Sequence, residues 1–171
     1  MSDAPPAFQE LYQAELAYVV RTLQRLGVAS ADLEDAAQDV FVTAYRRRAD
    51  RDADRPVRPW LFGIAFRVVG NYRQKAHRRR EIATDEVVAA AAGPSPEDDA
   101  STRQRRELLM RALDRLDLDH RAVAVLFEIE GLAAPAIAEI LGIPINTVYS
   151  RARAARHKLL DATREMRGGK R

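Results

Sequence analysis

"LGIPINTVYSRARAARHKL", residues 141–159, is the stretch that decides the fold. Gly142 sits in a short turn, and Arg151, Arg153, Arg156, His157 and Lys158 follow with no acid among them. At 100° per residue Val148, Ala152, Ala155 and Leu159 form one narrow apolar stripe, while Asn146, Ser150, Arg153 and His157 point the opposite way. Tyr149 and Arg156 flank that polar face on one side, Arg151 and Lys158 on the other. Asn146 suits the N-cap of this helix, because its side chain can accept from a free backbone N–H. Upstream, Ile137, Ala138, Ile140 and Leu141 mark a short helix from about Pro135, a residue tolerated in a first turn. Ala138 is small enough to let two helices cross closely. A short helix, a tight glycine turn and a basic amphipathic helix make the pattern of a helix-turn-helix, whose second helix enters the major groove of duplex DNA. Arg153 can pair with guanine through two N–H groups, and Tyr149 or Ser150 can meet a base edge or a phosphate. Arg151, Arg156 and Lys158 lie where phosphates would pass. The plainer reading, a solvated basic surface helix, accounts for the charge but not for the turn and the small Ala138.

The rest of the chain sets this segment in an all-α protein of two small helical domains, residues 8–80 and 103–162. A flexible acidic linker, 81–102, joins them, and a basic tail follows at 163–171. The 171 residues are 47% hydrophobic and 31% charged, with eight glycines and eight prolines, a composition for solvated helices rather than a turn-rich β protein. Phe8, Tyr12, Leu16, Val19, Leu23 and Leu26 recur at helical spacing, and Gly27 suits the left-handed residue after a helix. Ser30 or Asp32 then caps a helix with Leu33, Ala37, Val40, Phe41, Ala44 and Tyr45 on its apolar face. Residues 47–59, rich in charge and with two prolines, read as a loop. Trp60 opens a third helix, apolar on more than one face and therefore central in a bundle. Thr84–Thr102 lacks aromatics, leucine and isoleucine and carries Gly-Pro-Ser-Pro among acids, so it cannot bury much. In the second domain Leu108, Leu109, Ala112, Leu113 and Leu116 form one helix and Val123–Ile129 belongs to another.

The net charge of +3 hides two basic blocks. Arg51–Glu81 holds 9 basic and 3 acidic residues, and Asn146–Arg171 holds 8 basic and 2 acidic, whereas Ile82–Thr102 has 5 acids and no base. Two separate positive fields suit two contacts with a polyanion. "NYRQKAHRRR", residues 71–80, reads as a nucleic-acid backbone contact; the neighbouring Trp60 reads as core rather than a stacking platform for bases. Asp35, Gln38 and Asp39 share a helix face with Val42. No histidine or glycine-rich phosphate loop accompanies these carboxylates, so an enzyme is set aside, and with it any catalytic residue, cofactor or metal. The face is either simply solvated or an acidic docking surface for a basic partner. There is no cysteine, hence no disulfide. No leader pattern or membrane span is legible, and a cytoplasmic protein without membrane contact of its own is expected.

"DLEDAAQDVFVTAYRR", "RPWLFGIAFRVVGNYRQKAHRRR" and "GLAAPAIAEILGIPINTVYSRARAARHKLLDA" together resemble regions two and four of bacterial sigma factors, specifically the small extracytoplasmic-function (ECF) group. The resemblance implies a subunit that binds core RNA polymerase and directs transcription initiation at specific promoters. It implies that Asp35, Gln38, Asp39 and Val42 dock on the clamp coiled-coil of the largest polymerase subunit. Arg55 and Arg58 in the loop 51–59, with Arg67, Asn71, Arg73, Lys75 and Arg78 beyond it, would engage the −10 element. Asn146, Thr147, Tyr149, Ser150, Arg151, Arg153, Arg156 and His157 would engage the −35 element as duplex. The partners so implied are core RNA polymerase, promoter DNA and an anti-sigma factor, with the free protein a monomer. Arg67 stands where relatives often carry Asn, Ala133 where Ser or Thr often caps the scaffold helix, Asn146 where Gly is common, and Tyr149 where a basic residue is common. With only the short tail after the second domain, no built-in regulatory extension is expected. The alternative reading is a free-standing helix-turn-helix regulator, whose first domain dimerises or senses a ligand.

Overall fold

The computed structural model describes residues 6–82 and 100–168, with side chains for 7–74 and 102–165. Among the described residues there are only helices and turns, as the periodicity requires. The chain divides into two compact units, Met1–Ala91 and Ala92–Arg171. Residues 83–99, most of the expected linker, lie outside the described residues.

In the first unit α1 (Pro6–Leu26), α2 (Leu33–Arg46) and α3 (Val57–Ile82) pack pairwise against one another. Leu23 and Leu26 of α1, Val40 of α2 and Leu61, Phe62 and Ile64 of α3 are fully or almost fully buried. Gly27 has φ 93° and ends α1. Its N–H bonds Gln24 O and the next N–H, of Val28, bonds Leu23 O, both at 3.0 Å, which is the paired closure that a left-handed residue permits. The expected side-chain cap of α2 is absent: Asp32 occupies the N-cap without a side-chain bond, and the buried Ser30 hydroxyl has no partner among the described residues. A one-turn 3₁₀ helix at Ser30–Asp32 leads into α2 in its place. α3 starts three residues before Trp60, with Pro59 inside its first turn. An N–H lost there needs no intrahelical partner, so the proline does not delay the helix. Trp60 is half-buried and Phe62 fully buried. The front of the α1 stripe is not enclosed. Phe8, Tyr12 and Leu16 line an open groove of about 1060 Å³ with Phe41, Val42 and Tyr45 of α2. Edge-to-face contacts between Phe8 and Tyr45, with ring centres 5.1 Å apart, and between Tyr12 and Phe41, 4.6 Å apart, build its wall.

The second unit comprises α4 (Ala100–Leu113), α5 (Leu118–Ala124), a π-helical turn (Val125–Ile129), α6 (Ala134–Leu141) and α7 (Ile145–Gly168). α7 packs on α4, α5 and α6. The guanidinium of Arg121 in α5, only 3% exposed, donates to Asp114 at 2.9 Å and ties α5 to the end of α4. Gly142 ends α6 in the left-handed conformation (φ 67°, ψ 38°), and Ile143 N–H returns to Ala138 O at 3.0 Å. Ala133 holds the N-cap of α6 with extended φ and ψ and no side-chain bond.

Two substitutions separate these local terms. Ala133→Ser should supply the missing cap and stabilise the protein by about 1 kcal/mol. At Gly142 an added Cβ meets nothing within 4 Å, so Gly142→Ala should cost about 1–2 kcal/mol through the left-handed backbone alone. Urea unfolding reads both; a silent Gly142→Ala would show that the turn relaxes out of that conformation.

Candidate nucleic-acid interface

The position of α7 on its unit settles which way each side chain faces. Val148, Ala155 and Ala162 are buried, and Ala152 and Leu159 half-buried, so the expected stripe packs inward. The N-cap differs from expectation. Pro144 O accepts from Thr147 N at 2.9 Å and Val148 N at 3.2 Å, so the helix begins at Ile145 and Asn146 lies within its first turn. Proline gives up no needed donor here, and its carbonyl starts the ladder. The Asn146 side chain is left exposed on the outer face, with Tyr149 (55% exposed), Ser150, Arg153 and His157. Thr147 is half-buried, and the Ser150 hydroxyl donates to Thr147 O at 3.1 Å.

The flanking cations are engaged by acids of the same unit. Arg151, with its side chain only 23% exposed, meets Asp119 at 2.8 Å. Arg156 donates from Nε and Nη2 to Glu128 Oε1 at 3.1 and 2.6 Å. Lys158 lies 3.9 Å from Asp117. Among the described residues no acid pairs with Arg153. Sequence reasoning missed these three acids; the one legible signal was Glu128, an acid within the otherwise apolar "VAVLFEI". Asp117 also caps α5, accepting His120 N–H at 3.0 Å and touching the His120 ring at 2.7 Å. Burial alone would raise its carboxyl. The His120 backbone N–H and ring and the Lys158 ammonium outweigh that and hold it down at about 2.

On the first unit Asp35, Gln38, Asp39 and Val42 are all exposed on α2, with Gln38 and Val42 also lining the apolar groove. Tyr72 of α3 donates to Asp39 Oδ2 at 3.1 Å. Burial, that bond, and the fields of Asp39, Asp35 and Asp32 push its hydroxyl up to about 12. The cations foreseen for DNA are not equivalent. Arg67 and Asn71, one turn apart on α3, are exposed, and Arg67 folds back onto Gly63 O at 3.1 Å. Arg73 is half-buried and donates to Leu26 O at 3.0 Å, closing the end of α1. Arg58 bonds Glu15 at 2.9 Å and lies over the Tyr18 ring, and Arg55 faces Asp52 at 3.5 Å. The Lys75 and Arg78 side chains lie outside the described residues.

Two stretches of this architecture match family models: residues 11–79 match Sigma-70 region 2, and residues 106–159 match Sigma-70, region 4. The chain is 33% identical to the RNA polymerase sigma factor NccH of Alcaligenes xylosoxydans xylosoxydans over 90% of this chain and 84% of that one. It belongs to the ECF sigma factors of RNA polymerase. CnrH of Cupriavidus metallidurans is 31% identical, covering 93% of this chain and 89% of that protein. The solved structure of CnrH with the cytosolic domain of CnrY, 29% identical, superposes with a TM-score of 0.64 over 94% of this chain and 91% of CnrH. RpoE in complex with the anti-sigma factor NepR from Bartonella quintana shares the fold, with a TM-score of 0.78 at 20% identity over 94% of this chain and 98% of that one. The sigma factor thus directs promoter-specific transcription initiation, and a free-standing regulator is not favoured. Among the described residues no helix is long and apolar enough to cross a membrane.

The depressed Asp117 carboxyl has a consequence for stability. Its charge-dependent contribution is present above about pH 4 and is lost as pH falls toward 2. Asp117→Asn should therefore flatten the acid limb of thermal stability in that window. Asp117→Ala should in addition cost about 1 kcal/mol near neutrality through the lost cap. An acid limb unchanged in Asp117→Asn would assign it to other carboxylates.

Proposed function

We propose that this sigma factor meets its partners through three separate faces and performs no catalysis itself. The outer face of α7 reads the −35 element in the major groove, with Asn146, Tyr149, Ser150 and Arg153 at base edges. Thr147, Arg151, Arg156 and His157 complete that face. The exposed Arg67 and Asn71 of α3 meet the −10 element. Arg55, Arg58, Arg73, Lys75 and Arg78 supply positive field beside them, Arg73 also serving the fold. Asp35, Gln38, Asp39 and Val42, at the mouth of the apolar groove, dock on the clamp coiled-coil of core RNA polymerase. An anti-sigma factor is the expected inhibitor, because the two similar solved sigma factors are each bound to a partner protein, one named as an anti-sigma factor. The protein works in the cytoplasm.

One observation carries the reading: packing leaves Arg153, among exposed polar neighbours, without an acid partner among the described residues, while the three flanking cations are paired. An unpaired guanidinium on the N-terminal half of a groove-sized helix suits bidentate pairing with guanine. Arg153→Ala in the holoenzyme should cost about 1–3 kcal/mol at a cognate −35 site and little at sites already lacking the guanine. Equal loss on every sequence would make Arg153 a phosphate contact. Titration of labelled protein with core polymerase should saturate at one to one, and Asp39→Arg should weaken it at least tenfold with the helical content intact. Unchanged affinity of Asp39→Arg would remove the α2 face from the interface.

A further inference from the structure

Arg153 and Arg156 lie one turn apart on the same side of α7, and the fold treats them differently. Arg153 has no acid partner among the described residues. Arg156 is held at both Nε and Nη2 by a single oxygen of Glu128. Glu128 comes from the π-helical turn, where Glu130 N–H bonds Val125 O at 2.9 Å in place of a regular helical bond. That wider turn brings Phe127 and Glu128 to the rim of α7. There Phe127 lines a shallow groove of about 390 Å³ with Tyr149, Arg153, Arg156 and Leu160. The pair is partly open to solvent, with 60% of the Arg156 and 40% of the Glu128 side chain exposed. It is not part of the core, so it can be broken without unfolding the unit.

We propose that Glu128 is a specificity-determining residue that keeps Arg156 away from phosphates and so holds down sequence-independent affinity for DNA. The inference rests on α7 being the DNA-reading helix. Non-specific binding comes from cations that replace counterions along the phosphate backbone. Each cation neutralised within the protein is removed from that count, whereas base-edge contacts are untouched. Glu128 also places a carboxylate beside the path of the duplex, which a phosphate must displace to reach Arg156. Arg151 and Lys158 are engaged in the same way by Asp119 and Asp117. The Glu128–Arg156 pair is the one that borders Tyr149 and Arg153.

The test uses the full-length protein and a duplex lacking promoter sequence, with affinity followed across a salt series by fluorescence anisotropy. E128Q preserves side-chain shape and should raise affinity roughly two- to fivefold, the range of an exposed ion pair. It should also steepen the logarithmic salt slope by about 0.9, the value for one added phosphate contact. R156A alone should shift both quantities by less than one phosphate contact is worth, and E128Q combined with R156A should match R156A alone. R153A should lower affinity for a second duplex that carries the cognate −35 sequence. Circular dichroism confirms that each variant is folded. An R156A slope shallower by about 0.9, the full value of a phosphate contact, or an E128Q variant with wild-type slope, would overturn the role of Glu128 and leave α7 as the reader. Insensitivity of the −35 duplex to R153A, together with insensitivity of the promoter-free duplex to E128Q, would overturn both.

Discussion

The close approach of α7 to α5 is the constraint on which the second unit depends. Val148, Ala155 and Ala162 present small buried side chains along one line of α7. Small residues let helix axes come near one another and leave little freedom of rotation. The pairs Arg151–Asp119, Lys158–Asp117 and Arg156–Glu128 then brace α7 on both flanks. Exposed ion pairs add little stability individually. Their effect here is orientational: with the flanks tied down, the strip from Asn146 to Arg153 is what remains outward.

In the first unit α3 has the corresponding central place. It is buried along Leu61, Phe62, Ile64, Ala65, Val68 and Val69 because it packs on both α1 and α2. Its far side carries Arg67 and Asn71, and Tyr72 beside them reaches back to Asp39 on α2. One side-chain bond therefore joins the helix proposed to meet the −10 element and the face proposed to dock on polymerase. Arg73, by closing the last turn of α1, shows how a residue in a basic run can serve the fold. A run of positive charge overstates the cations available to DNA wherever the tertiary structure supplies carbonyls and carboxylates to hold them.

The helices themselves were largely legible, since an apolar stripe at a step of three or four has few other solutions. Gly27 and Gly142 marked helix ends because only a left-handed residue closes those turns cheaply. Capping was less legible. Asn146, Ser30 and Asp32 all have the chemistry of caps, but Pro144 precedes α7 in place of Asn146, and Asp32 holds the N-cap of α2 without a side-chain bond, through backbone geometry that composition does not encode.

The sequence by itself determined the all-α class, the inward stripe of α7, the outward Asn146, Ser150 and Arg153, and the exposed acidic face of α2. Each follows from periodicity within one helix, so no distant residue is needed to read it. Only the tertiary structure decided which cations are held by acids, that Phe8, Tyr12 and Leu16 line an open groove, and that Tyr72 holds Asp39. Arg156 and Glu128 are separated by 28 residues, and Tyr72 and Asp39 by 33. Contacts at such separations depend on how helices pack against one another, and the pattern along any one helix carries no record of it.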